Sequence, residues 1–99
     1  MSQTIKSNDV IEKLRHLKPE LEKRYGVTRI GIFGSVARNE AHSGSDIDIV
    51  VDMAPDLLKR VSLKAELESL FGKRVDVIRY WHGMNNYLKV RIDQEAIYV

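Results

Sequence analysis

Ile32-Phe33-Gly34-Ser35-Val36-Ala37-Arg38-Asn39-Glu40-Ala41-His42-Ser43-Gly44-Ser45-Asp46-Ile47-Asp48-Ile49-Val50-Val51 is the stretch on which the reading of this chain turns. An apolar strand, Thr28 to Phe33, runs into Gly34-Ser35. After ten intervening residues Asp46 and Asp48 sit inside a second apolar strand that continues through Val51. Strand side chains alternate faces, so Asp46 and Asp48 point one way while Ile47, Ile49 and Val51 point toward a core. Two carboxylates about 6 to 7 Å apart on one strand face repel each other and call for a counter-charge. A hard cation with an all-oxygen shell, Mg2+ above all, is the simplest remedy. Gly34 brings no Cβ to obstruct a ligand. The amides of its turn and the Ser35 hydroxyl suit phosphate oxygens. Together the two halves describe a site for a metal-bound nucleoside triphosphate. The alternative is a plain turn beside a solvated strand face.

The composition narrows what surrounds that site. The 99 residues predict a single domain, 1–99, with one core and little room for a second. There is no cysteine, and no apolar run resembles a signal peptide or a membrane span, so the expectation is a cytoplasmic protein. Lys and Arg exceed Asp and Glu by only 16 to 14. That balance is too even to make nucleic acid the expected primary partner.

The remaining elements follow from periodicity. Asp9 and Glu12 have capping-box spacing, and Val10, Leu14, Leu17, Leu21 and Tyr25 recur at helical intervals up to Gly26. Pro19 is expected to break or kink this helix near Lys18. The mixed charges from Glu12 to Arg24 read as a solvated face. A short helix is expected at Val36 to Asn39, followed by a polar loop to Ser45. Arg38 lies one helical turn from Gly34 and Ser35, where it could fork onto phosphate or pair with Glu40. Asp52 reads as a solvated strand-end residue. Leu57 to Phe71 is helical, in one piece or with a second start at Ser62, and Leu63, Leu67, Leu70 and Phe71 form its apolar stripe. Tyr80 to Tyr87 is a turn, and a helix from Asn86 to Ile92 and a strand from Ala96 finish the chain. His16, His42 and His82 lack metal-ligand spacing. The Leu57–Phe71 face and the aromatics at Tyr80, Trp81 and Tyr87 are candidate interfaces.

Between these last helices lies Arg74-Val75-Asp76-Val77-Ile78-Arg79, an apolar strand interrupted by one aspartate. If that strand is buried, its carboxylate needs a partner. Arg74 or Arg79 could provide one. If instead the strand lies beside the one carrying Asp46 and Asp48, Asp76 completes a three-carboxylate cluster able to hold metal or to act as a general base.

Gly34-Ser35, the ten-residue gap, Asp46-Ile-Asp48, Val75-Asp76-Val-Ile, the Phe33-to-Arg38 run and Ser45-Asp46-Ile47-Asp48 closely resemble the minimal nucleotidyltransferase family of the DNA polymerase β-like superfamily. The resemblance covers essentially the whole chain. It implies an α+β fold, a small mixed sheet of three or four strands packed with helices. It also implies transfer of AMP from ATP to a tyrosine of a partner, the HEPN-domain ribonuclease toxin that many members silence as antitoxins. Asp46, Asp48 and Asp76 would then be the catalytic, Mg2+-binding carboxylates, with Gly34 and Ser35 on the triphosphate. Asn39 departs from the family, standing where relatives usually have glycine; asparagine tolerates the left-handed backbone that glycine favours. Two other readings stand beside this one. An antitoxin could neutralise its toxin by binding alone, or the acceptor could be an RNA end or a small hydroxyl compound.

Overall fold

Helical periodicity yields α1 (Ser7–Tyr25), α2 (Gly34–Ala37), α3 (Leu57–Phe71) and α4 (Asn86–Glu95); alternation yields β1 (Arg29–Phe33), β2 (Ile47–Asp52), β3 (Val75–Arg79) and β4 (Ile97–Tyr98). The structure is a computed structural model that describes residues 5–99. One mixed sheet, ordered β3-β2-β1-β4, holds the strands. β1 is antiparallel to β2 and to β4, whereas β2 and β3 run parallel. Parallel neighbours need a crossover. Here α3 supplies it.

The sheet is apolar on both sides. On one side Ile30, Ile32, Ile47, Ile49, Val51 and Val75 pack with Val10, Leu14 and Leu21 of α1 and Leu63 and Leu67 of α3. On the other side Phe33 and Val50 bury against Ile92 of α4. The aspartate-bearing face of β2 is therefore partly roofed by α4 and not left wholly to solvent.

Several expectations change in the folded chain. α1 runs unbroken through Pro19. A proline inside a helix costs about 3 kcal/mol, but Val10, Leu14 and Leu21 are buried on both sides of it. Each such side chain contributes about 1.5–3 kcal/mol, so packing outweighs the break. The Asp9–Glu12 capping box does not form. Lys6 is the N-cap without a side-chain bond, and the Ser7 amide donates instead to Asn39 Oδ1 at 2.9 Å. The α1 charges are not all solvated: Arg24 and Tyr25 both donate to Glu66 of α3, at 2.6 and 3.2 Å.

α3 is one helix, capped by Asp56 accepting from the Lys59 amide at 3.0 Å, so no second start occurs at Ser62. Leu63 and Leu67 are fully buried, but Leu70 is 38% exposed. Leu57, Leu58 and Val61 are exposed at the opposite end of α3. Leu57 shares a groove with Trp81, Arg60 and Arg79, which joins the two candidate interfaces. Among the described residues no helix is long and apolar enough to cross a membrane.

Replacing Pro19 with alanine restores a helical donor while losing some restraint on the unfolded chain, and should stabilise by about 1–2 kcal/mol. A higher urea midpoint with an unchanged slope would show it.

Candidate active site

Asp48 is the centre of the site. The parallel register sets it opposite Asp76, on strands about 4.8 Å apart. The adjacency that Asp76 required is present, but its burial is not: Asp76 is exposed on the sheet face. The two arginines that could have paired with it are engaged elsewhere, Arg79 with the Met53 carbonyl at 2.9 Å and Arg74 with Asp46 at 3.3 Å. Asp46 itself lies just before β2, which starts at Ile47.

Asp48 is half-buried, and its environment shows in its protonation. Burial holds its carboxyl above the ordinary aspartate range; the Asp76 charge pushes the same way, Arg91 opposes, Asp46 adds to the rise and Arg38 opposes it. The repulsion expected between Asp46 and Asp48 is thus present only as a small contribution, and the larger like-charge effect comes from Asp76.

The turn between β1 and α2 closes directly on this carboxylate. Gly34 has φ +73°, and a Cβ there would run into Asp48 Oδ2. Glycine satisfies both demands at once. Its amide is not idle, however. It donates to Glu95 Oε1 at 3.1 Å, and Arg38 Nη1 reaches the same oxygen at 2.8 Å. Arg38 also pairs with Glu40 at 3.1 Å, so the pairing weighed for it in the sequence exists, alongside a second partner from α4. Ser35 is half-buried at the start of α2, and Asn39 ends the turn at φ 57°, the left-handed backbone anticipated for it.

Sequence reasoning missed Glu95 and Arg91. Their i,i+4 pairing on α4, at 3.7 Å, follows from spacing. Their approach to a turn some sixty residues earlier does not. Asp52 also differs from expectation: its Oδ2 pairs with Arg29 at 3.1 Å, and its Oδ1 is buried without a hydrogen-bond partner among the described residues. His16, His42 and His82 are exposed, in keeping with their lack of ligand spacing.

The donor set fits a hard divalent cation. Among the described residues, no three carboxylate or imidazole side chains converge as a ready-made cluster, and Asp46 pairs with Arg74 at 3.3 Å. That arginine is 82% exposed, and exposed pairs are weak, so Asp46 is easily released. Mg2+ in particular takes one or two carboxylates and completes its shell with water and phosphate oxygens.

The family profile described as Nucleotidyltransferase domain matches residues 14–99. This chain belongs to that family. The nucleotidyltransferase domain is 42% identical over 84 residues to the protein adenylyltransferase MntA of Thermococcus cleftensis, an alignment covering 83% of this chain and 84% of the relative. Among solved structures, it overlays with a TM-score of 0.76 on one assigned as a minimal nucleotidyltransferase, at 31% identity, covering 93% of this chain and 94% of the other. It also overlays, with a TM-score of 0.66 and 26% identity, on a chain from a toxin–antitoxin crystal structure with AMP-PNP, covering 93% of this chain and 70% of that one. The nucleotidyltransferase domain thus has the α+β fold, with its four-stranded mixed sheet, that its motifs imply.

Because Asp48 holds its proton more tightly folded than unfolded, the folded state binds more protons between the ordinary value of 3.8 and the raised one. Stability falls as pH rises through that window. In a chelating buffer, Asp48→Asn should unfold at higher urea than wild type at pH 7. The advantage should vanish as the pH drops toward the ordinary aspartate value.

Proposed function

We propose that this nucleotidyltransferase domain transfers AMP from ATP to a hydroxyl acceptor, a tyrosine of a cognate HEPN ribonuclease toxin, and so acts in the cytoplasm as its antitoxin. The observation that carries the reading is the pairing of Asp48 with Asp76 across β2 and β3, beside a Gly34 turn that admits no Cβ. Support comes from the MntA relative, a protein adenylyltransferase, and from the toxin–antitoxin neighbour solved with AMP-PNP.

In this reading Asp46, Asp48 and Asp76 would hold Mg2+, which would supply neutralisation of the charge that develops on the phosphate oxygens. Ser35 donates its hydroxyl to the triphosphate, and the Gly34 turn leaves space for it beside Asp48. Arg38, next to that turn, offers its guanidinium to a phosphate oxygen. Asp76, the more exposed of the strand carboxylates, accepts the proton of the acceptor hydroxyl. The acceptor oxygen bonds to the α-phosphorus, the bond from that phosphorus to the bridging oxygen breaks, and pyrophosphate leaves with the electron pair. Positioning and charge complementarity provide most of the acceleration in such transfers.

The decisive experiment is the intact mass of the HEPN partner after incubation with this chain, ATP and Mg2+. A gain in whole AMP units is expected, and none with the doubly substituted Asp46→Asn/Asp48→Asn chain. A stable complex without any mass gain would replace transfer by neutralisation through binding.

Ser35→Ala removes one phosphate ligand and leaves the fold intact. It should raise the KM for ATP roughly tenfold, about the worth of one hydrogen bond to a charged group, with little change in melting temperature. An unchanged KM would remove Ser35 from the triphosphate site.

A further inference from the structure

Glu95 stands in the last turn of α4, where a negative charge opposes the helix dipole and its own helix offers it only the longer i,i+4 pair with Arg91. Its side chain is only 20% exposed. One oxygen, Oε1, accepts from the Gly34 amide at 3.1 Å and from Arg38 Nη1 at 2.8 Å, and Arg91 Nη2 lies 3.7 Å away. The Arg38 bond, at 2.8 Å and between opposite charges, is among the stronger kinds in proteins. The helix is fixed close by: one turn back, Ile92 is buried against Phe33, the residue immediately before Gly34. Glu95 therefore reaches the turn from a rigid seat.

We propose that Glu95 is a positioning residue for the nucleotide, tying the Gly34 amide and the Arg38 guanidinium to one oxygen so that the β1–α2 turn and its cation are preset for the triphosphate. The inference rests on the nucleotidyl-transfer reading for its reaction, but its measurement is nucleotide affinity. Arg38 and Arg91, both beside Glu95, are also the two cations that act on Asp48. The α4 terminus thus arranges the positive half of a site whose negative half lies on β2 and β3.

Reach and charge can be separated by substitution. Glu95→Gln keeps an oxygen at the same distance and loses the charge; Glu95→Asp keeps the charge and withdraws the oxygen by one methylene. With affinity for AMP-PNP and Mg2+ measured by calorimetry, Glu95→Gln should remain within about threefold of wild type. Glu95→Asp should lose roughly tenfold, the factor carried by one charge-assisted hydrogen bond. In an Arg38→Ala background the Glu95→Asp loss should shrink to about twofold, because the group it positions is gone. The reverse order, tighter binding by Glu95→Asp, or an equal loss with and without Arg38 would overturn the proposal. A wild-type chain that binds the nucleotide yet transfers nothing would overturn the transfer reading alone, leaving the order of affinities to judge Glu95. A wild-type chain that binds no nucleotide would overturn both.

Discussion

Like-charge crowding between Asp48 and Asp76 is the constraint around which the rest of the chain is arranged. Side by side on parallel strands, the two carboxylates work against folding, and the Asp76 charge adds to burial, the larger cause, in raising the proton affinity of Asp48. A chain under selection for stability alone would place a neutral residue at one of the two positions. Keeping both is intelligible if the repulsion is relieved by something bound. The architecture follows from that need, since a parallel pair obliges the chain to leave the sheet and return, and α3 makes that return while completing the core.

The two faces of the sheet divide the work. Toward α1 and α3, fully buried aliphatic side chains pay the entropy of ordering the chain. Toward α4 a smaller apolar cluster centres on Phe33, Val50 and Ile92, with partly buried side chains such as Ile78, Leu88 and Tyr98 packed around them, and charge gathers at its Gly34 end. Glu95, Arg38 and Arg91 lie at the seam between roof and turn. Asn39 extends the same linkage in the other direction, since the side chain that follows the turn also holds the first amide of α1.

Much of this was legible in the sequence because it depends on local rules. Period-two alternation located β2 and placed Asp48 opposite its core-facing neighbours. Helical spacing found α3 and its two buried leucines, and a strand interrupted by one acid pointed to Asp76. What escaped were long-range effects that no window of residues contains. Pro19 sits unbroken in α1 because burial on either side outweighs a lost hydrogen bond. Asp46 is drawn to Arg74 by the geometry of the loop ends. Glu95 reads locally as half of an ordinary helical ion pair, and only the sheet order brings it to Gly34. The exposure of Asp76 was misjudged for a related reason: an apolar strand pattern does not reveal which strand is outermost.

That position has a consequence for the partner. Among the described residues β3 is flanked by β2 on one side alone, so Asp76 stands on the open margin of the sheet they form. A group bound for that carboxylate can arrive laterally, while still attached to a bulky folded body, without threading a cavity or waiting for a lid. An enzyme built this way selects its acceptor less by enclosing the reacting group than by the fit of the whole incoming surface. On the proposed function, the identity of what is modified is then written mainly in the docking of two macromolecules, and the same small frame can serve different acceptors as that docking changes.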